Sequence, residues 1–306
     1  MNKNHRKKIS ARRTVNPDGN FNVVRKGVSK FDWGDLYHAL LTLSWIKLFA
    51  VVAAGYVITN VLFAFLYLAA GDGVENMRGG DFSDAFFFSV QTMATIGYGA
   101  MYPKTLFANI LVAIEALLGL LGVSMGSGLV FARFSLPKAR VMFSRVAVIA
   151  PYNGVPTLMF RVANERQSWI LEAQVNVSLL TSEITQEGQT MRRFYNLPLF
   201  RDRSSLFALT WTVMHPINES SPLYDITLDK MLTDEMEILI TLTGIDQTVS
   251  ENIHAHHSYI PTEIFWNHQF VDILTKTQDG RRSIDYNRFH DTTPLENFSL
   301  INKFNK

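Results

Sequence analysis

Cysteine is absent from the 306 residues, and charged side chains are scarce. Without cysteine the chain can form no disulfide, thiol nucleophile, cysteine-ligated zinc site or iron–sulfur cluster. Charged residues make up 18% of the chain, below the roughly 25% of an ordinary soluble protein. The formal net charge of +2 is too small to indicate nucleic acid as a partner. The shortage of charge must therefore be concentrated in particular segments.

Two long segments account for the missing charge. Residues 48–71 contain no charged side chain, and residues 105–132 contain one, Glu115. A helix of the shorter length measures about 36 Å, which exceeds the roughly 30 Å of a hydrocarbon core. Both segments therefore predict transmembrane helices. The first is too long and begins too far into the chain to be a signal peptide.

Lysine and arginine are distributed unevenly around these segments. Ten lie in residues 1–47 and four in residues 133–145, whereas the connector 72–104 has two against four acidic residues. The positive-inside bias therefore places both termini on the cytoplasmic side.

Two shorter helices are predicted beside the spans. Residues 81–93 are apolar but too short to cross, which predicts a re-entrant helix with Ser83 as its N-cap. Residues 31–47 place apolar side chains on one helical face, which predicts an interfacial helix lying on the membrane. A short soluble helix packed on the following domain is the alternative.

The chain after Pro137 has a different character. Short runs of β-branched and aromatic residues alternate with turn sequences such as Asn153-Gly154 and Asp279-Gly280. This pattern predicts a β-sandwich. The predicted layout is thus an N-terminal segment (1–30), the interfacial helix (31–47), a transmembrane domain (48–136), the β-sandwich (137–296) and a tail (297–306).

A short motif, Thr95-Ile96-Gly97-Tyr98-Gly99, directly follows the re-entrant helix. The two glycines allow unusual φ and ψ angles, so successive carbonyls can point to one side. Four such strands could replace the hydration shell of potassium with carbonyl oxygens, and the Thr95 hydroxyl would add the innermost ring. Ile96 and Tyr98 would point away and hold the ring open. One chain supplies one strand, so the motif predicts a homotetrameric potassium filter.

Two spans around TIGYG, followed by a β-rich half, resemble the inward-rectifier potassium channels, specifically the prokaryotic branch. The resemblance extends over about residues 13–292 and includes WTVMHP at 211–216 and SPLY at 221–224. It implies a homotetramer in the cell (inner) membrane with an immunoglobulin-like cytoplasmic domain. It also implies passive conduction and no enzyme activity, with no cofactor beyond potassium ions bound at residues 95–98.

This sequence departs from the family at two pore positions. Many animal members have a glutamate where Gln91 stands, paired with an arginine whose position here is about Ala100. Gln91 is therefore expected to support the filter through hydrogen bonds. Strong rectifiers carry an acidic residue where this chain has Val123.

Several residues of the second span are candidate pore elements. Glu115 is expected to brace the filter, with direct contact to ions as the alternative. Val123, Ser127 and Phe131 recur at intervals of four, which predicts a pore-lining face with Phe131 as a hydrophobic gate. Plain packing is the alternative for Phe131. Gly119 is interpreted either as a bend that opens the pore or as a close packing point.

Two further sites are expected on the cytoplasmic side. The resemblance implies that Arg133, Lys138 and Arg140 bind anionic phospholipid or phosphoinositide, and ordinary topology charges are the alternative. Glu187 matches a position lining the cytoplasmic pore, where four carboxylates would bind magnesium or polyamine. A solvated turn residue is the alternative for Glu187.

The sequence therefore predicts a potassium channel gated by its cytoplasmic domain and by lipid. The alternative is a membrane-anchored ligand-binding receptor or scaffold with a vestigial or poorly selective cation pore. The intact TIGYG motif argues against that alternative. Potassium-over-sodium flux in liposomes distinguishes the two.

Val123 generates a prediction about rectification. An internal cation is retained in a membrane cavity only if an acidic ring compensates for its lost hydration, and valine cannot do this. The unmodified channel should show weak block by internal spermine, with Glu187 holding what binds. Val123→Asp should give steep block of outward current while inward current survives.

The measurement is a current–voltage curve in a planar bilayer, with and without spermine, for both proteins. Steep block of the unmodified channel would contradict the interpretation of Val123 or of Glu115. A conducting mutant without added block would mean that position 123 does not face the pore.

Overall fold

The computed structural model describes residues 13, 14, 16, 22, 27, 36–135, 139–276 and 279–295. The N-terminal segment is thus described at five positions, and the tail 297–306 lies outside the described residues. The chain divides into two compact units. One contains Met1–Lys26 and Pro137–Lys306, and the other contains Gly27–Leu136.

The second unit is helical. It contains α1 (Leu36–Thr42), α2 (Trp45–Ala69), α3 (Phe82–Met93) and α4 (Leu106–Phe134), with a hairpin of β1 (Val74–Glu75) and β2 (Tyr102–Pro103). Both α2 and α4 are long and apolar enough to cross a membrane. The prediction of two spanning helices with a short helix between them is confirmed.

The helix boundaries differ from the prediction where caps decide them. The interfacial helix was expected over 31–47, but α1 ends at Thr42, and α2 begins at Trp45 instead of residue 48. The break occurs because the Ser44 hydroxyl accepts the backbone N–H of Lys47 and caps α2. Residues 31–35 lie outside the described residues. Similarly, Asp81 caps α3, and Ser83, the predicted cap, lies within the helix.

The first unit is a β-sandwich of two five-stranded sheets, as predicted. The strands of one sheet are β6 (Ile170–Ile184), β7 (Thr190–Asn196), β8 (Arg203–Phe207), β10 (Glu237–Asp246) and β11 (Glu251–Tyr259). The strands of the other are β3 (Val141–Phe143), β4 (Ala147–Tyr152), β5 (Val155–Asn164), β9 (Thr210–Pro216) and β12 (Ile264–Trp266). The first sheet runs β11-β10-β6-β7 with β8 also on β6, and the second runs β12-β4-β5-β3 with β9 also on β5.

Small elements complete this unit. They are the helix α5 (Leu228–Thr233), the pair β13 (His268–Phe270) and β16 (Thr292–Pro294), and the pair β14 (Leu274–Lys276) and β15 (Arg282–Ile284). Among the described strands, β12 and β4 run parallel, whereas the other pairings are antiparallel.

The sandwich core follows from the alternation of residues in its strands. In β10, Ile238, Ile240 and Leu242 are buried at every second position. They belong to one apolar cluster with Phe160 and Val162 of the facing sheet. Burying each such side chain contributes on the order of 1.5–3 kcal/mol. The two-residue period therefore determines which face of each sheet is inside.

A segment near the N-terminus is attached to the sandwich by polar contacts. The Arg13 guanidinium donates to the Glu263 carboxylate, and the Thr14 backbone N–H donates to Glu237 at 2.9 Å. Burial raises the pKa of Glu263, and the charge of Arg13 opposes that rise. These contacts place residues 13 and 14 in the same compact unit as the sandwich.

Candidate ion-conducting site

The TIGYG segment has an alternating backbone. The φ angles of Thr95, Gly97 and Gly99 are 57°, 53° and 82°, in the left-handed region, whereas Ile96 and Tyr98 lie outside it. Alternation of handedness turns successive carbonyls toward the same side. The two glycines adopt this conformation without a Cβ penalty. Thr95 is β-branched and adopts it at a cost, which sequence reasoning did not anticipate.

The predicted filter segment, residues 95–99, is hydrogen-bonded to the last turn of α3. The Gln91 carbonyl accepts the N–H of Ile96 at 2.8 Å and the N–H of Gly97 at 3.4 Å. The N–H of Thr95 donates to the Thr92 carbonyl at 3.0 Å. Gln91 therefore contacts the filter through its backbone, whereas the prediction assigned support to hydrogen bonds without naming the atoms.

The opposite end of the filter segment is also fixed. The Asn76 side-chain amide donates to the Ala100 carbonyl at 2.8 Å. Nearby, the Arg78 guanidinium donates to both Asp84 oxygens at 2.8 and 2.7 Å, and it holds the pKa of Asp84 at about 2. Asp84 lies in the first turn of α3, where the helix dipole favours a negative charge. Asn76 and Arg78 thus position both ends of the pore-helix and filter segment.

The side chains of the filter leave much of their surface uncovered within one chain. Tyr98 is 74% exposed and Ile96 is 47% exposed. Exposed aromatic and aliphatic side chains beside a polar backbone strand are typical of a surface that packs against another chain.

A buried polar cluster of Asn60, Tyr67, Ser89 and Glu115, here called the Glu115 cluster, joins α2, α3 and α4. The Tyr67 hydroxyl donates to one Glu115 oxygen at 2.6 Å, and the other oxygen is hydrogen-bonded to the Ser89 hydroxyl. The Ser89 hydroxyl also lies 3.0 Å from the Asn60 carbonyl oxygen. Glu115 is fully buried and links α4 to α2 and α3. Sequence reasoning identified Glu115 alone, although an amide at Asn60 in a charge-free span was an available signal.

Gly119, in the middle of α4, packs against the C-terminal end of α3. A Cβ at this position would overlap the carbonyl oxygen of Met93, the last residue of α3. The close approach favours the packing interpretation of Gly119. Val123 follows one turn later on nearly the same helical face.

The predicted lining residues are exposed within the chain. Val123 is 67% exposed and Phe131 is 74% exposed, and Ser127 is exposed as well. The buried side of α4 consists of Ala108, Leu111, Glu115 and Gly119, all before Val123. The half of α4 that carries the predicted lining therefore has no buried residue in the described chain.

The predicted lipid-binding residues do not share one environment. The Arg133 guanidinium donates to the Leu43 carbonyl and lies 4.5 Å from the Trp45 ring centroid. It therefore connects the end of α4 to the junction of α1 and α2. Lys138 lies outside the described residues. Arg140 is exposed and belongs to the sandwich unit.

Glu187 occupies the turn between β6 and β7. Its side chain is exposed, and a hydrogen bond from Thr185 lowers the pKa of its carboxyl group. The carboxylate is therefore ionised at neutral pH and available to attract cations.

Family models match both units of the chain. Residues 46–135 match the model described as "Ion channel". Residues 141–304 match the model of the inward rectifier potassium channel C-terminal domain.

Several characterised proteins are similar over most of the chain. The inward rectifier potassium channel Kirbac3.1 of Paramagnetospirillum magnetotacticum is 48% identical over 280 residues, covering 91% of this chain and 95% of that protein. The G protein-activated inward rectifier potassium channel 4 of Bos taurus is 32% identical, covering 84% and 67%. The G protein-activated inward rectifier potassium channel 2 of Mus musculus is 31% identical, covering 97% of this chain and 76% of that protein.

Gly119 generates a prediction that separates close packing from general helix flexibility. Gly119→Ala should displace the end of α3, because overpacking costs about 1–3 kcal/mol. Potassium flux in liposomes should fall and selectivity over sodium should weaken.

Gly122→Ala is the matched control, since no heavy atom apart from the adjoining backbone of α4 lies within 4 Å of a Cβ there. Like Gly119→Ala, it adds one methyl group to α4 and raises the helix propensity by the same amount. Equal flux and selectivity in the two mutants would contradict a packing role for Gly119.

Proposed function

The chain belongs to the inward-rectifier potassium channel family, and on that premise we propose that residues 95–99 form the filter of a homotetramer. The alternation of left-handed φ angles at Thr95, Gly97 and Gly99 is the observation that carries this assignment. Four such segments around one axis would offer rings of carbonyl oxygens to a dehydrated potassium ion. The potassium ion is the cargo of this site.

The pore helix supports this assignment electrostatically as well as geometrically. The last residue of α3, Met93, lies two residues before Thr95. The C-terminal end of a helix carries a partial negative charge from its unpaired carbonyls. Four α3 helices that end beside the filter would therefore favour a cation at its inner entrance.

Below the filter, Val123, Ser127 and Phe131 line the conduction path, and Phe131 forms the gate. Support comes from their spacing of four residues on α4, after the contact between Gly119 and Met93, in a half of the helix that has no buried residue in the described chain. Four phenylalanine rings close to the axis would exclude water and stop ions by dewetting. Rotation or bending of α4 would open this constriction.

Lipid acts on this gate from the cytoplasmic side of the cell (inner) membrane. Arg133, two residues after Phe131, contacts Leu43 and Trp45 at the start of α2. An anionic phospholipid or phosphoinositide bound by Arg133, Lys138 and Arg140 would act on the end of α4. Glu187 would concentrate magnesium or polyamine in the cytoplasmic part of the pore.

Gly97→Ala tests the filter assignment. Alanine in the left-handed region is strained by about 1–2 kcal/mol, and its methyl group would crowd the ion path. Potassium flux into liposomes should disappear while the tetramer still assembles.

Gly154→Ala is the control, because Gly154 also has a left-handed φ, of 81°, and no heavy atom within 4 Å of a Cβ. It introduces comparable backbone strain in a turn of the sandwich. Undiminished, barium-blockable flux in Gly97→Ala would refute the filter assignment.

A second test concerns lipid. Replacing Arg133, Lys138 and Arg140 by glutamine removes three charges, each worth on the order of 1 kcal/mol near an anionic surface. The change in flux with added phosphoinositide should weaken strongly, whatever its sign.

The charge-matched control replaces Arg203, Arg281 and Arg282, which are exposed in the sandwich unit. If both triple mutants respond identically to phosphoinositide, Arg133, Lys138 and Arg140 serve only to set the orientation of the chain in the membrane.

A further inference from the structure

If Glu115 were ionised, the Glu115 cluster would have too few protons to satisfy its hydrogen-bond acceptors. Its members come from three helices: Asn60 and Tyr67 from α2, Ser89 from α3 and Glu115 from α4. Asn60, Tyr67, Ser89 and Glu115 are each fully buried. Because no bulk water reaches these groups, their hydrogen bonds must come from one another or from neighbouring protein groups.

The orientation of the Asn60 amide is determined by its surroundings. Its nitrogen donates to the Tyr56 carbonyl at 2.7 Å and lies 3.5 Å from the Met93 sulfur. The reversed amide would place its oxygen against the Tyr56 carbonyl oxygen, and neither could donate. The Asn60 oxygen therefore faces the Ser89 hydroxyl as an acceptor.

Ser89 then lies between two oxygens but has only one proton. It can donate to Asn60 or to Glu115, and not to both. If Glu115 were ionised, the Ser89 hydroxyl would donate to only one of the two oxygens. The other oxygen would then face the Ser89 oxygen with no hydrogen between them. Both contacts are satisfied when Ser89 donates to Asn60 and Glu115 donates to Ser89.

The charge environment agrees with this count. Among the described residues 36–135, the ion pairs involve Arg78 and Lys104, and neither reaches Glu115. The contacts of the carboxyl group are the hydroxyls of Tyr67 and Ser89. An unpaired carboxylate at membrane depth is costly.

We propose that Glu115 is a neutral carboxylic acid that positions the pore helix through a one-directional chain of hydrogen bonds. Tyr67 donates to Glu115, Glu115 to Ser89, Ser89 to Asn60, and Asn60 to the Tyr56 carbonyl. The chain starts and ends on α2 and passes through α4 and α3. Ser89 precedes Met93 by one turn, so the chain holds the part of α3 that leads into the filter. This inference rests on the proposed filter function of residues 95–99.

The variants Glu115→Gln and Glu115→Leu distinguish the protonation state of Glu115 from its role in supporting α3. In Glu115→Gln the amide nitrogen donates to Ser89 and the amide oxygen accepts from Tyr67. Flux and potassium-over-sodium selectivity should stay within about twofold of the unmodified channel, because the donor and acceptor pattern is kept. Glu115→Leu leaves these partners unpaired, and selective flux should fall by roughly tenfold or more.

Infrared spectroscopy of the full-length tetramer in lipid reads the proton directly. The difference spectrum between the unmodified protein and Glu115→Gln should contain the C=O stretching band of a protonated carboxylic acid. Loss of carboxylate bands instead would overturn the proposal. Glu115→Leu is a second partner for the subtraction, so the band can be assigned even if one variant does not assemble.

The outcomes distinguish this proposal from the one on which it rests. If glutamine and leucine impair selectivity equally, the neutral state is refuted while the supporting role of Glu115 survives. If leucine behaves like the unmodified channel, the supporting role is refuted, and the infrared band alone decides the protonation state.

Discussion

A potassium ion leaves water only where other oxygens replace its hydration shell at the right spacing, and the filter that we propose makes this requirement the main constraint on the helical unit. The carbonyls of residues 95–99 can provide those oxygens only with left-handed φ angles at alternate positions. Such a strand makes few hydrogen bonds of its own. It must therefore be held at its ends, by the Gln91 carbonyl at one and by Asn76 at the other.

The pore helix is positioned by two kinds of contact that differ in physical character. At Gly119 the contact is steric, because the backbone of α4 approaches the Met93 carbonyl too closely for any side chain. At the Glu115 cluster the contact is polar and directional, since each donor has one acceptor at a fixed angle. Steric contact sets how near α3 and α4 lie. The hydrogen bonds set the rotation and register of α3 relative to the two spanning helices.

At the C-terminal end of α4, an arginine joins two helices. Arg133 contacts the Leu43 carbonyl and the Trp45 ring, and the Phe134 ring lies 4.9 Å from that of Trp45. The end of α4 is therefore attached to the start of α2 by a hydrogen bond, a cation–π contact and an aromatic contact. At Gly119, in contrast, the middle of α4 packs directly against the Met93 carbonyl.

Composition and periodicity were enough to predict the two spans, the re-entrant helix and the sandwich, because each depends on where apolar side chains recur along the chain. The TIGYG motif pointed to a filter because few residue types tolerate its backbone. The left-handed φ of Thr95, the caps at Ser44 and Asp81, and the partners of Glu115 were not predictable in this way. Asn60, Tyr67 and Ser89 are separated from Glu115 by 26 to 55 positions, and only packing of three helices brings one proton and two acceptors together. Local pattern determined which segments form, and tertiary contact decided which polar groups meet.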